Sequence, residues 1–253
     1  MKRIAIVTGA SAGLGAEFVV QIDRRLQLDE IWLVARRADR LEALAGRLTR
    51  ARGVAVQADL GVSEGVAVLR ERLAAEQPDL ALLVNNAGFG RYGRFEEVER
   101  EPQLEMIDLN CRALTAITYD ALPYIRPGGA IIQVASLAGY VPISNHAVYA
   151  ATKAYALSFG VALAGELEER SVRVLTLCPG PVATEFAEVA SGGKRKKTGG
   201  SQSAERVVRV ALDDLERRRW ISLTTLNWKL TAFASRILTR KFLARYTNRT
   251  RRE

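Results

Sequence analysis

Short runs of β-branched and aliphatic residues alternate with longer stretches of helical apolar spacing from the start of the chain. Residues 4–7 are continuously apolar, which predicts a buried strand, and residues 12–26 then repeat apolar positions at helical spacing. The alternation continues with strands over 31–35, 54–58, 80–85, 131–135 and 172–178, and a short seventh over 220–223. Helices are predicted over 39–50, from Ser63 onward, along 101–125, and over 148–169 and 204–216. Ser63 with Glu64 behind it suits a helix start. Strands that are apolar on both faces and joined by helical crossovers predict an α/β architecture, a parallel sheet covered on two sides. No Pro/Ser-rich linker, internal repeat or second core interrupts it, so residues 1–223 read as one domain and 224–253 as a C-terminal extension.

Composition changes this picture only at the end of the chain. Of 253 residues, 48% are hydrophobic and 26% charged, ordinary values for a globular protein. No uninterrupted apolar run reaches the ~18 residues of a membrane span, and residues 4–7 are shorter than the ~7–15 residues of a secretory h-region. Cys111 and Cys178 stand far apart and outline neither a disulfide framework nor a metal site. A reducing cytoplasm is the expected compartment. The formal charge of +9 is concentrated after residue 225, where eight basic residues face one acid, Glu253. There Leu226, Leu230, Phe233 and Ile237 recur at helical spacing, with Lys229, Arg236 and Arg240 elsewhere on the wheel. A basic amphipathic helix of this kind either lies on an anionic membrane or packs its apolar face on the body or a partner subunit, and the pattern leaves both open. Trp228 and Phe242 read as packing or interface residues.

The predicted loops behind the strands carry the candidate chemistry. In such sheets ligands bind beyond the carboxyl ends of the strands. Strand one runs into Thr8-Gly9-Ala10-Ser11-Ala12-Gly13-Leu14-Gly15, whose glycines permit a tight turn, and the following helix N-terminus offers free N–H groups to a pyrophosphate. Together these mark a Rossmann-type, doubly wound sheet of about seven strands. Strand two ends at Ala35-Arg36-Arg37; where an acid would bind a ribose 2′-hydroxyl, two arginines suit a 2′-phosphate. Asp59 follows strand three, Asn85-Asn86-Ala87-Gly88 strand four, Ser136 strand five, and Pro179-Gly180-Pro181-Val182 with Thr184 strand six. Tyr149 and Lys153 are four residues apart, one helical turn, so both leave the same face. A free tyrosine titrates near pKa ~10; a close ammonium and a cationic cofactor ring would depress it toward neutral pH.

This set resembles the short-chain dehydrogenase/reductase family, in its NADP-preferring subgroup, over residues 1 to about 223. The motifs T-G-x-x-x-G-x-G, N-N-A-G, an isolated Asn, Ser, Y-x-x-x-K and P-G occur in the family's order and near its spacing. The resemblance implies Tyr149 as the acid in carbonyl reduction and the base in reverse, and Lys153 as the group that tunes it and holds the nicotinamide ribose. It implies Ser136 as the partner of the substrate oxygen and Asn110 as the holder of a relay water. Gly9, Ser11, Gly13, Leu14 and Gly15 would line the pyrophosphate, and Arg36, helped by Arg37, the 2′-phosphate. Asp59 and Leu60 would flank the adenine, Asn86, Ala87 and Gly88 the adjoining ribose, and Pro179, Gly180, Val182 and Thr184 the nicotinamide side. No metal is implied.

The expected activity is NADP(H)-dependent interconversion of a carbonyl and an alcohol. The expected substrate is hydrophobic, with 3-oxoacyl and steroid-like compounds among the candidates and Phe89 and Phe186 building an apolar pocket; His146 reads first as an ordinary structural residue and only second as part of the pocket wall. Residues 186–203 stand where the family's substrate loop lies. Their Lys194-Arg195-Lys196-Lys197 cluster, between glycine pairs, reads as a solvated loop or as attraction for an acidic substrate handle. A homodimer or homotetramer is the family's habit. The alternative from another class is a non-catalytic, NADP-responsive adaptor using the basic tail on a membrane or RNA; the tail contains no nucleic-acid reading module.

Overall fold

In the computed structural model, which describes residues 1–193 and 200–250, strand β1 (Arg3–Thr8) sets the layering. Ile4 and Ile6 enter one core layer and Ala5 and Val7 the other, all fully buried. Successive side chains of a strand point to opposite faces, so a strand covered on both sides must be apolar throughout. With β2 (Glu30–Ala35), β3 (Arg52–Gln57), β4 (Asp79–Asn85), β5 (Ala130–Val134), β6 (Arg173–Leu177) and β7 (Ile221–Ser222), it forms a seven-stranded sheet in the order β3-β2-β1-β4-β5-β6-β7. Every pairing is parallel. The chain builds outward to β3 and then returns to place β4 on the other side of β1, so the topological switch lies between β1 and β4.

The helices are α1 (Gly13–Arg25), α2 (Ala38–Ala45), α3 (Ser63–Glu76), α4 (Arg100–Ile107), α5 (Leu114–Ala121), α6 (Ala147–Leu167), α7 (Phe186–Ala190), α8 (Ala204–Glu216), α9 (Leu226–Ile237) and α10 (Arg240–Thr250). Phe18 and Ile22 of α1, Leu41 of α2 and Val207 of α8 fill one layer. Leu69 of α3, Ile117 of α5 and Leu163 of α6 fill the other, with Trp32 from the sheet. Helix α6 is long and apolar enough to cross a membrane. Its buried Ala156, Gly160, Leu163 and Leu167 show what the apolarity serves, packing of a core helix against the sheet.

Three elements differ from the sequence pattern. The helix expected over 39–50 stops at Ala45 because the buried Asp23 carboxylate accepts the backbone N–H groups of Thr49, Arg50 and Ala51 at 2.9, 3.2 and 2.8 Å, holding a turn there. The stretch 101–125 is not one helix. Between α4 and α5 runs a π-helical turn, Asp108–Ala113, and after α5 a 3₁₀ turn, Leu122–Tyr124. The tail is two helices, broken where Leu238 is extended and the Thr239 hydroxyl accepts the Phe242 N–H.

The tail also docks on the face opposite to the apolar stripe. Ala232, Leu243 and Thr247 are buried, and the Trp228 ring lies against Gly180. Thr247 donates to the Pro142 carbonyl, and Ser144 donates to the Ala244 carbonyl. Leu226, Leu230, Phe233 and Ile237 are 70, 58, 61 and 69% exposed. The stripe therefore does not pack on the body, which corrects that half of the reading in which it packs on the body or a partner subunit; the small residue Ala232 and the flat ring of Trp228 permit a closer approach.

Candidate active site

The β1–α1 turn is shaped for a bulky anion. Gly9 and Gly13 have φ of 65° and 57°, the region open to glycine at no steric cost. A Cβ on Gly15 would collide with the Gly9 carbonyl, so the helix approaches the turn at backbone distance. Helix α1 starts at Gly13 behind Ala12, which offers no side-chain cap, and has no acid in its first turn. Its first N–H groups are thus left for a ligand, at the positive end of the helix dipole. Thr8 braces the turn: its hydroxyl accepts the Asn86 and Ala87 N–H groups at 2.9 and 3.0 Å, while Asn86 Nδ2 donates to the Thr8 carbonyl at 2.9 Å.

At the neighbouring strand ends, Arg36 is largely exposed and lies 3.9 Å from the Asp59 carboxylate. Asp59 also accepts the Gly61 N–H at 3.0 Å. Leu60 is buried among Val56 and Leu69, so its side chain meets the core and only its backbone faces outward. Arg37 reaches the glycine loop and donates to Ser11 Oγ at 3.0 and 3.2 Å. Its remaining nitrogen pairs with Glu185 at 3.1 Å, and Arg40 pairs with the same carboxylate at 2.7 Å. The Arg40 and Arg37 guanidinium groups hold the Glu185 carboxyl below the usual carboxylate range. Neither Arg40 nor Glu185 carries a sequence signal; only the fold joins them.

Behind β5 and on the first turns of α6 the other polar residues converge. Tyr149 and Lys153 are both buried on one face, the ammonium 5.8 Å from the phenol ring centroid. Lys153 Nζ donates to the Val134 carbonyl at 2.8 Å. Ser136 caps the 3₁₀ turn Leu137–Tyr140 by accepting the Ala138 N–H at 3.1 Å. Burial lowers the Lys153 pKa from 10.5 to about 8. Burial also raises the Tyr149 phenol, outweighing the Ser136 hydroxyl, which favours phenolate. Depression of Tyr149 by Lys153, expected from the spacing, is therefore not a property of the protein alone: desolvation wins, and the phenol is held protonated.

Asn110 stands on the π-helical turn, whose extra residue per turn displaces it from the regular helix. It is 1% exposed. Its Oδ1 accepts the Phe89 N–H at 3.1 Å, and its Nδ2 donates to the Phe89 carbonyl at 2.9 Å and to Thr152 Oγ1 at 3.0 Å. Gly88 lies above Asn110 and Lys153, where a Cβ would meet Asn110 Oδ1 at 2.8 Å. An aromatic wall borders Tyr149: His146 at 4.3 Å between ring centroids, Tyr92 stacked on His146 at 4.2 Å, and Phe186 at 5.5 Å. His146 Nδ1 meets the Arg91 carbonyl at 2.8 Å; a carbonyl only accepts, so Nδ1 carries the proton. Tyr92 has no sequence motif to announce it.

Beyond β6, Pro179 accepts the Leu137 N–H, which ties this loop to the Ser136 turn. Val182 bridges to Gln202. Thr184 lies against Gly13, bringing this loop over the start of α1. Of the expected substrate loop 186–203, the basic cluster at residues 194–197 lies outside the described residues, as do Arg251, Arg252 and Glu253. Cys178 is fully buried and donates to the Thr176 carbonyl at 3.9 Å; burial pushes its thiol up to about 12.

A glycine turn at a switch point, with Tyr149, Lys153 and Ser136 at the neighbouring strand ends, is an arrangement suited to an oxidoreductase. Residues 3–194 match the short chain dehydrogenase family, and the chain belongs to that family. It is 33% identical over 202 residues to serine 3-dehydrogenase of Agrobacterium fabrum, covering 78% of each chain. A short-chain dehydrogenase from Sphingobium yanoikuyae in complex with NADPH superposes with a TM-score of 0.80 at 31% identity, covering 92% of this chain and 94% of that one. The bulky-bulky ketone specific alcohol dehydrogenase from Comamonas testosteroni gives 0.77 at 25% identity, covering 92% of each. The protein is thus an oxidoreductase acting on CH–OH groups, which replaces the non-catalytic adaptor reading.

Proposed function

We propose that this protein interconverts a hydrophobic ketone or aldehyde and its alcohol with NADP(H), with Tyr149 as acid in reduction and base in oxidation. The observation that carries the reading is the convergence of Tyr149, Ser136 and Lys153 beside a glycine turn with arginines at the β2 end. The turn fits a pyrophosphate because Gly9 and Gly13 take positive φ, Gly15 lets α1 pack directly on the turn, and the start of α1 is uncapped. Gly9, Ser11, Gly13, Leu14 and Gly15 hold the phosphates, and Arg36 and Arg37 hold the 2′-phosphate. Asp59 and the Leu60 backbone border the adenine, and Asn86, Ala87 and Gly88 the ribose. Pro179, Gly180, Val182 and Thr184 border the nicotinamide. The NADPH bound by the Sphingobium relative supports this choice of cofactor.

Bound there, NADPH supplies the hydride. Ser136 donates a hydrogen bond to the substrate oxygen and fixes the carbonyl's orientation. Tyr149, kept protonated by burial, gives its proton to that oxygen as charge develops on it. Lys153 then stabilises the phenolate, and Asn110 holds the relay water through which the proton is replaced. Phe186, His146 and Tyr92 keep the site dry and favour an apolar substrate. The catalytic unit is a homodimer or homotetramer in this reading.

Fluorescence titration with NADPH and NADH, on wild type and on Arg36→Ala and Arg37→Ala, tests the cofactor. A preference for NADPH that collapses in either variant supports the assignment; equal affinities unchanged by both substitutions overturn it. Tyr149→Phe tests the chemistry: turnover of an accepted carbonyl falls roughly a hundredfold or more while NADPH still binds. Full turnover in that variant would sink the mechanism.

A further inference from the structure

The tail helices turn an apolar, cation-bordered face outward, and we propose that this face is a docking surface for an anionic lipid bilayer. The exposed Leu226, Leu230, Phe233 and Ile237 follow the i, i+4, i+7, i+11 spacing, a single stripe along α9. Lys229 and Arg236 border that stripe on the wheel and are themselves exposed. On α10 the outward residues are Lys241, Arg245 and Arg249, interleaved with Phe242 and Tyr246, whose rings stack at 6.3 Å and are 53 and 57% exposed.

Charge decides between occupants. From Leu226 to Thr250 the sequence contains six basic residues and no acid. A second copy meeting this face through a two-fold axis would bring the same cations against themselves, because an isologous contact uses one patch twice. An anionic bilayer supplies both halves of what the face lacks: headgroup charge for the cations and acyl chains for the stripe. The inward residues, Trp228, Ala232, Leu243 and Thr247, anchor the helices to the body, so the stripe is displayed on a folded support. Trp228 lies against Gly180 at the end of the site loop, which would place a bilayer-dissolved carbonyl compound close to the entrance of the site. This last step rests on the reductase reading; the docking itself does not.

The full-length protein is sedimented with vesicles of equimolar phosphatidylglycerol and phosphatidylcholine, and with pure phosphatidylcholine vesicles. Binding to the first and little to the second is expected, weakening with salt. The double variant Leu230→Ser/Phe233→Ser and the double variant Lys241→Gln/Arg245→Gln each lower the partition coefficient about tenfold or more, with unchanged circular dichroism and NADPH binding. Equal binding to both vesicle types, or none to either, overturns the proposal. So does a lipid-free dimer, measured by light scattering, that dissociates in the Leu230→Ser/Phe233→Ser variant, since the stripe is then a subunit contact. Binding to RNA that competes with vesicles and ignores the stripe substitutions would leave only polyanion attraction and also overturns it.

Discussion

Asn110 Nδ2 donates to Thr152 Oγ1 at 3.0 Å, and that hydroxyl in turn donates to the Tyr149 carbonyl at 2.8 Å. The π-helical turn and the first turns of α6 are thereby held in register at Tyr149 and Lys153. Thr152 lies within Y-x-x-x-K, at a position the motif leaves free.

Thr152→Val keeps the shape and removes the hydroxyl, leaving the buried Asn110 amide short of an acceptor. An unsatisfied buried donor costs about 1–3 kcal/mol, so urea unfolding should show a loss in that range. Turnover should fall more than apparent substrate affinity, because the register of Tyr149 is disturbed while the pocket remains. Thr152→Ser should restore both.

Glu185 holds Arg37 and Arg40 at once, on the residue before Phe186, whose ring borders Tyr149. In the proposed site, a 2′-phosphate at Arg37 would compete with that carboxylate. Glu185→Gln removes the competing charge from an exposed pair worth about 0.2–1 kcal/mol, so NADPH affinity should rise about two- to fivefold while NADH affinity stays level. Isothermal titration of both cofactors checks this. Weaker NADPH binding in the variant would show that Glu185 orients the arginines rather than occupying them.

The strands, the glycine turn and the Tyr149–Lys153 pair are legible in the chain because each is local. Apolar runs mark strands, positive φ demands glycine, and a spacing of four maps directly onto one helical face. The Arg37–Glu185 pair joins residues 148 apart and has no periodic signature. The π-helical turn hardly alters the apolar pattern, so residues 101–125 read as one helix although Asn110 depends on the irregularity. The tail misled in a different way: a wheel shows where apolar residues cluster, but the docking face was chosen by shape, with Trp228 against Gly180. Tyr149's protonation likewise depended on burial, which spacing does not report.

Gly180→Ala tests that choice of face. Its Cβ would collide with the Trp228 ring, and overpacking of this kind costs about 1–3 kcal/mol. The expected result is a lower melting temperature and faster proteolysis confined to residues 226–250, with the sheet's circular dichroism retained. Intact protection of the tail would mean that the ring yields without moving α9.

Lys153→Met separates stability from activity. The ammonium is buried with the Val134 carbonyl as its hydrogen-bond partner, and its pKa of about 8 lies below the usual 10.5. Desolvation of the charged form is thus a cost to the folded state, on the order of 3 kcal/mol for a shift of this size. Methionine removes that cost but leaves the buried Val134 carbonyl without its donor, a loss of about 1–3 kcal/mol, so the variant should be at least as stable as wild type and up to about 2 kcal/mol more stable near neutral pH. The sign follows from the folded pKa being the lower one: the unfolded chain binds more protons between pH 8 and 10.5, so wild-type stability rises across that window. The advantage of Lys153→Met should therefore be full below pH 8 and shrink as pH climbs toward 10.5. The Cys111 and Cys178 thiols are coupled to this ammonium, so the comparison is made in a Cys111→Ser/Cys178→Ala background, where the difference between lysine and methionine isolates Lys153. Turnover should be lost at every pH, since Tyr149 then has no cation to stabilise its phenolate. A variant less stable than wild type at pH 7, or a stability difference independent of pH, would mean that the ammonium is better solvated in the fold than its burial implies.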